Sequence, residues 1–321
     1  MPLRHRLLAA LVAALWGVNF LAIHASLEQF PPFLLVAMRW TLIAIPTLLL
    51  VPRPEVPLRY LLGYGLGFGV LQFTFLYWAM DSGMPTGLAS LVLQSSASFT
   101  VLLGVLVTRE KLTGARAFGV AVAVVGLAIV GSQRAGGATW WPFVLTLLGG
   151  LGWALGNIAS RQAKPPKPLH LTLWMSVIPP IPMLALSLAV EGPDRIVDAF
   201  ATSGDAWGAW VGLAYTVVLG TVVGSGIWTW LMARHPASTV APFSMLVPVV
   251  GISAAWLALG ERPNAVELAG SVVVVAGVLL TSGTRRRISG GRRRGRGRAG
   301  SAATPPPRQP ASAGHPAVRP S

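Results

Sequence analysis

Ten runs of roughly twenty consecutive apolar residues recur along this chain, and no other feature limits its fold so severely. Each helical residue advances about 1.5 Å, so about 20 of them cross a hydrocarbon core about 30 Å thick. The runs cover residues 7–25, 31–51, 60–80, 86–108, 112–131, 141–161, 169–190, 207–232, 237–259 and 264–283. Lipid offers no water to an open backbone, so segments of this kind must close their hydrogen bonds internally as helices. Only 11% of the 321 residues are charged and 53% are hydrophobic, against about 25% charged in an ordinary soluble domain. A water-facing surface cannot be built from that supply, which excludes a soluble enzyme. The first run follows Arg4 and Arg6 as a signal peptide would, but it is too long, lacks a small-x-small site and holds Trp16 and Asn19. It is read as a retained span.

Orientation follows from the basic residues of the short loops. Arg4, Arg6, Arg53, Arg59, Arg109, Lys111, Arg116, Arg161, Lys164, Lys167 and Arg234 fall on one side, and only Arg134, Arg195 and Arg262 on the other. That asymmetry predicts a cytoplasmic location for both termini. Of the net charge of +15, ten positive charges lie beyond Thr284 with no acid after Glu267. Residues 284–321, rich in Arg, Gly and Pro, are expected to be a disordered cytoplasmic tail that contacts anionic lipid headgroups. Arg-Gly runs also bind RNA, but the position next to a span favours lipid, and no nucleic-acid partner is expected.

A shift of 151 residues superimposes Pro85 on Pro236, Glu110 on Glu261, Lys111 on Arg262, Gly119 on Gly270 and Gly126 on Gly277 without a gap. Trp16 and Asn19 resemble Trp153 and Asn157 with one residue of slippage. The chain reads as a tandem duplication with five spans per unit. An odd number of spans turns the second unit upside down relative to the first. The expected fold is therefore an all-α integral membrane protein, ten transmembrane helices in two inverted five-helix repeats. Inverted repeats of this type enclose a substrate near the midplane and alternate its exposure between the two sides.

The stretches 16–20 (Trp-Gly-Val-Asn-Phe), Pro31-Pro32 with Arg39, and 83–94 resemble the EamA domain of the drug/metabolite transporter superfamily. The stretches 153–157, 223–228 and 241–251 extend the resemblance through the second unit. Repeats at 8–131 and 142–283 are implied, in a multi-pass protein of a bacterial inner membrane. The chain is most similar to the O-acetylserine and cysteine exporters of that family. The resemblance implies export of a small amino-acid-like metabolite such as cysteine or O-acetylserine. A different substrate class, such as cationic drugs, and a non-transporting membrane scaffold are the alternatives.

Arg39 is the sole permanent charge deep in a span, a placement that costs several kcal/mol unless the side chain faces the protein interior or water. Its guanidinium fits a substrate carboxylate as a two-pronged fork. Alternatively it is structural, bonded to helix carbonyls or snorkelling to the external interface. Rise per residue places Asn19, Arg39, Gln72 and Gln94 roughly 3–5 Å to the external side of the midplane. The three amides carry donors and acceptors suited to an amino and carboxyl pair, or to bonds between helices. Asn157 is a candidate mirror of Asn19, while Trp153, Trp228 and Tyr77 are candidate walls of the cavity. Ser95, Ser96 and Ser98 are expected to bond back within their own helix. Trp140, Trp141, Trp207 and Trp210 fit an interfacial belt.

Every carboxylate lies at a span end or in a loop, so a buried acidic proton relay is not visible, and facilitated export is favoured. There is no cysteine, and no GxxxxGK[ST], HExxH or GxSxG pattern. ATP hydrolysis is excluded and no cofactor or metal is expected. The oligomeric state is left open.

Overall fold

The computed structural model describes residues 1–133 and 140–282. Among them the regular structure is entirely helical. The long helices are α1 (Leu3–Leu27), α2 (Pro32–Leu50), α3 (Leu58–Asp81), α4 (Thr86–Thr108), α5 (Gly114–Ser132), α6 (Trp140–Ala163), α7 (Pro168–Val190), α8 (Trp207–Arg234) and α9 (Ala241–Leu259). These nine, counted among the described residues, are long and apolar enough to cross a membrane. A tenth apolar helix, α10 (Ala265–Ser282), follows. Arg134 and the whole 284–321 segment lie outside the described residues.

Proline marks the first turn or the residue just before it in most of these helices, where a missing N–H costs nothing. Left-handed residues end others: α4 closes at Arg109 (φ 53°) and α9 at Gly260 (φ 67°). Four of the long helices are irregular inside. A π-helical segment interrupts α3 at Gly65–Leu71 and α8 at Thr216–Val223. Turns at 93–94 break α4, and Pro180 resumes α7 after a break at 176–179.

The interior is aromatic and aliphatic, with Trp40, Tyr77, Phe30 and Leu91 almost wholly buried. The outside is equally apolar. Leu257 is 83% exposed, Ile181 79% and Leu50 78%, side chains that water would not tolerate in such number but that acyl chains solvate. Trp140, Trp141, Trp207 and Trp210 are all exposed near helix ends, as expected of an interfacial belt.

Local structure repeats at the 151-residue spacing. The π segments at 65–71 and 216–223 correspond, and so do the left-handed residues 109 and 260. Thr113 caps α5 by accepting from Arg116 N, and Asn264 caps α10 by accepting from Glu267 N. Helices α5 and α10 pack closely through glycine. A Cβ on Gly119 would lie 2.7 Å from Thr281 N, and one on Gly126 would lie 2.6 Å from Val274 N. Gly119 thus meets the end of α10 while Gly126 meets its middle near Gly270, so the two helices run antiparallel.

Carboxylates fasten further helix ends. Glu191, after α7, accepts from Phe33 N (2.7 Å) and Leu34 N (3.0 Å) at the start of α2. Glu261, after α9, accepts from Thr86 N (2.8 Å) and Gly87 N (2.9 Å) at the start of α4.

Candidate functional site

Arg39 projects from α2 into the interior and is 4% exposed, so it does not snorkel. Its Nη1 donates to the Tyr77 hydroxyl on α3 and its Nη2 to Thr221 Oγ1 on α8, both at 2.8 Å. Its partners are therefore hydroxyls rather than helix carbonyls, which corrects one of the structural alternatives drawn from sequence. The guanidinium lies 4.1 Å from the ring centre of Phe73 and 5.0 Å from that of Trp40. Each stack contributes on the order of 1 kcal/mol. Among the described residues no carboxylate lies within ion-pair distance, and Nε has no hydrogen-bond partner. Hydroxyls and ring faces orient a cation without cancelling its charge. The result is a buried side chain of net positive charge, with three of the five guanidinium N–H donors unengaged by the two bonds.

The π segment of α8 positions the second of those partners. Thr221 Oγ1 donates to Thr216 O at 2.8 Å, five residues back, which leaves the oxygen free to accept from Arg39. The neighbouring Gly220 lets Asn19 approach, since a Cβ there would lie 2.5 Å from Asn19 Oδ1. Asn19 is buried and this oxygen accepts no hydrogen bond. Trp16 Nε1 donates to Gly220 O at 2.9 Å, and Trp228 packs on Trp16 at 5.1 Å between ring centres.

Gln72 adjoins Phe73, is buried, and leaves its Oε1 unpartnered. Trp153 joins the same aromatic wall through Phe68, 5.9 Å away, which in turn meets Phe73 at 5.7 Å. Arg39 and Tyr77 are thus in direct contact, with Asn19, Gln72, Trp153 and Trp228 reaching the cluster through one or two intermediaries.

Two candidates make their bonds elsewhere. Gln94, at the break in α4, directs Nε2 to Ser244 O at 3.4 Å and lies 3.8 Å from Met245 Sδ. Asn157 is half-buried and donates to Thr100 Oγ1 at 3.2 Å, so it does not reproduce the surroundings of Asn19. The serines also depart from expectation. Ser95 and Ser98 are buried with hydroxyl oxygens that have no partner.

Thr221, Phe73 and Trp40 complete the cluster and were not distinguishable in the sequence. A threonine or phenylalanine in an apolar run carries no signal of its own. Only the π turn brings Thr221 round to Arg39.

The family model described as "EamA-like transporter family" matches residues 4–132 and 140–283. A probable amino-acid metabolite efflux pump of Salmonella typhimurium is 40% identical over 279 residues, which is 85% of this chain and 93% of the relative. Its namesake in Escherichia coli K12 is 38% identical over the same shares. A solved crystal structure, 18% identical, covers 87% of this chain and 96% of its own with a TM-score of 0.58, and so shares the fold. With both matched segments lying on the helices described above, the chain belongs to the EamA-like transporter family and is a multi-pass membrane transporter rather than an enzyme.

Proposed function

We propose that this protein exports a small amino-acid-like metabolite, cysteine or O-acetylserine among the candidates, across the bacterial inner membrane by alternating access. The relatives named as probable amino-acid metabolite efflux pumps support the substrate class. The observation that carries the reading is the buried Arg39, a fixed cation with an idle Nε and, among the described residues, no carboxylate partner. A substrate carboxylate supplies the missing anion, held by the unengaged edge of the guanidinium. The unpartnered Asn19 Oδ1 and Gln72 Oε1 are acceptors, the type of group an α-ammonium requires. Tyr77 and Thr221 orient the fork, and Trp153 and Trp228 wall the path. Gln94 and Asn157, which bond at the α4–α9 and α4–α6 contacts, stand apart from this cluster.

Ten helices in two inverted repeats, 8–131 and 142–283, provide the machinery. The antiparallel α5–α10 packing supports inversion, since equivalent helices related by a two-fold axis in the membrane plane must run in opposite senses. The loop charges support a cytoplasmic location for both termini. An unneutralised cation in the path disfavours cationic drugs.

The test is efflux of radiolabelled O-acetylserine and cysteine from proteoliposomes. Wild-type protein is expected to release them down their gradient, and Arg39→Ala to abolish release. Unchanged efflux from both Arg39→Ala and Arg39→Lys would remove the anchor, and absence of any solute movement would leave a scaffold.

A further inference from the structure

Two glutamates separated by the repeat spacing are launched by the same backbone device yet end on different partners. Glu110 N donates to Gly104 O at 3.1 Å, closing α4 around the left-handed Arg109. Glu261 N donates to Ala255 O at 3.4 Å, closing α9 around the left-handed Gly260. Every one of these residues matches its counterpart after a shift of 151. Equivalent caps thus launch the two side chains from matching backbone positions.

Their destinations differ. Glu261 crosses to the first turn of α4 and accepts from Thr86 N and Gly87 N, locking two helices of opposite halves together. There the helices touch closely, with Gly87 so placed that a Cβ would lie 3.0 Å from Ile252 Cα. Among the described residues Glu110 has other partners. Its carboxylate accepts from the Thr108 hydroxyl at 3.1 Å, pairs with Arg161 of α6, and lies 3.8 Å from Arg116 Nη1. It also folds over Gly104, whose nearest neighbours beyond its own helix backbone are the Glu110 carboxylate atoms at 3.4–3.7 Å. In the other half, Ala255, the counterpart of Gly104, lies 3.4 Å from the Cβ position of Gly87. Gly104 is thus covered by Glu110 of its own helix end, whereas Ala255 faces Gly87 of the opposite half.

We propose that Glu261 and Glu110 are alternating latches of the transport cycle, positioning residues that exchange places as the carrier turns over. In the conformation seen, Glu261 holds the external side shut while Glu110 is parked on Arg161. In the opposite conformation Glu261 releases residues 86–87, and Glu110 leaves Arg161 to accept from the backbone N–H groups of Ala237 and Ser238, the positions 151 residues beyond Thr86 and Gly87. The inference rests on the alternating-access reading above. A carboxylate on two backbone N–H groups is a charge-assisted clamp that costs little to re-form at an equivalent site, which suits a reversible switch.

The absence of native cysteine allows clean spin labelling. Labels at Ser82 and Arg262 report the external gap, and labels at their counterparts Ala233 and Lys111 report the cytoplasmic gap; all four residues are exposed. In liposomes with and without O-acetylserine, wild-type protein is expected to show two populations whose external and cytoplasmic distances change in opposite senses. Glu261→Gln is expected to deplete the externally closed population on the order of tenfold. Glu110→Gln is expected to deplete the cytoplasmically closed one. Arg161→Met, which frees Glu110 from its parking partner, is expected to enrich that same population. Glu110→Gln and Arg161→Met shifting in the same direction would show a merely structural ion pair and overturn the proposal. Two wild-type populations that none of the three variants alters would overturn the latch while leaving alternating access standing. A single wild-type population unmoved by substrate would overturn both.

Discussion

Replacing Arg39 with methionine separates a substrate anchor from a structural residue, because the two roles predict opposite signs for stability and transport. The side chain makes two hydrogen bonds, to Tyr77 and Thr221, and two ring contacts, to Phe73 and Trp40. Losing them costs about 1.5–3 kcal/mol per charged hydrogen bond and on the order of 1 kcal/mol per ring. Against that stands the relief of a buried cation with no counter-ion, worth several kcal/mol, together with the gain of an apolar side chain of similar length. Thr221 keeps its donor bond to Thr216 O, and the Tyr77 hydroxyl can rotate. The opposing contributions are close in size, so the detergent-solubilised variant should unfold within about 1 kcal/mol of wild type. Transport has no such compensation. A carboxylate held by two charge-assisted bonds loses about 3–5 kcal/mol, or on the order of a thousandfold in affinity. The assay pairs thermal unfolding, with and without O-acetylserine, with proteoliposome efflux. Saturating substrate at 100 times Kd should stabilise wild type by about 2.7 kcal/mol and leave Arg39→Met unmoved. A variant that unfolds more than about 3 kcal/mol sooner yet exports normally would refute the anchor.

Thr221→Val removes the acceptor for Arg39 Nη2 and frees Thr216 O, so a loss of about 1–3 kcal/mol in stability and a weaker apparent substrate affinity are expected from melting and uptake curves. Gly126→Ala inserts a methyl group 2.6 Å from Val274 N; the α5–α10 seam must open, and the unfolding midpoint should fall by about 1–3 kcal/mol without a change in substrate selectivity. Burial alone would raise the Glu110 carboxyl, but Arg161, the Thr108 hydroxyl and Arg116 outweigh it and hold the group below its ordinary value of 4.5. A depressed carboxyl contributes stability above the unfolded value and loses it as pH falls through the folded one. Wild type should therefore exceed Glu110→Gln by a constant margin at neutral pH that begins to shrink below about pH 4.5 and is gone once pH has fallen through the lower folded value, as followed by thermal melts across pH.

The spans and their order were legible because lipid imposes a length and an apolar content that few other environments demand, and the helices of the structure fall on the predicted runs to within a few residues. Arg39 was legible for the same reason, since a permanent charge in such a run has no cheap location. What hydropathy supplies is height along the bilayer normal. It does not supply azimuth around each helix. Gln94 and Asn19 were placed at one level, yet Gln94 points to Ser244 and Met245 while Asn19 sits against Gly220. The π segments were likewise invisible, because one extra residue per turn leaves composition and average hydropathy unchanged. Thr221 owes its place beside the guanidinium to that extra residue.

The seam between α5 and α10 has a consequence for ancestry and assembly. Its glycines occur at equivalent places in both helices, so each helix presents to the other a surface it also possesses. Such a seam is self-matching: a lone half-length polypeptide inserted in both senses would present the same ridges and hollows to its own upside-down sibling. Under the proposed inverted-repeat reading, fusion of two such siblings into one chain fixes their opposite insertion and lets each copy diverge.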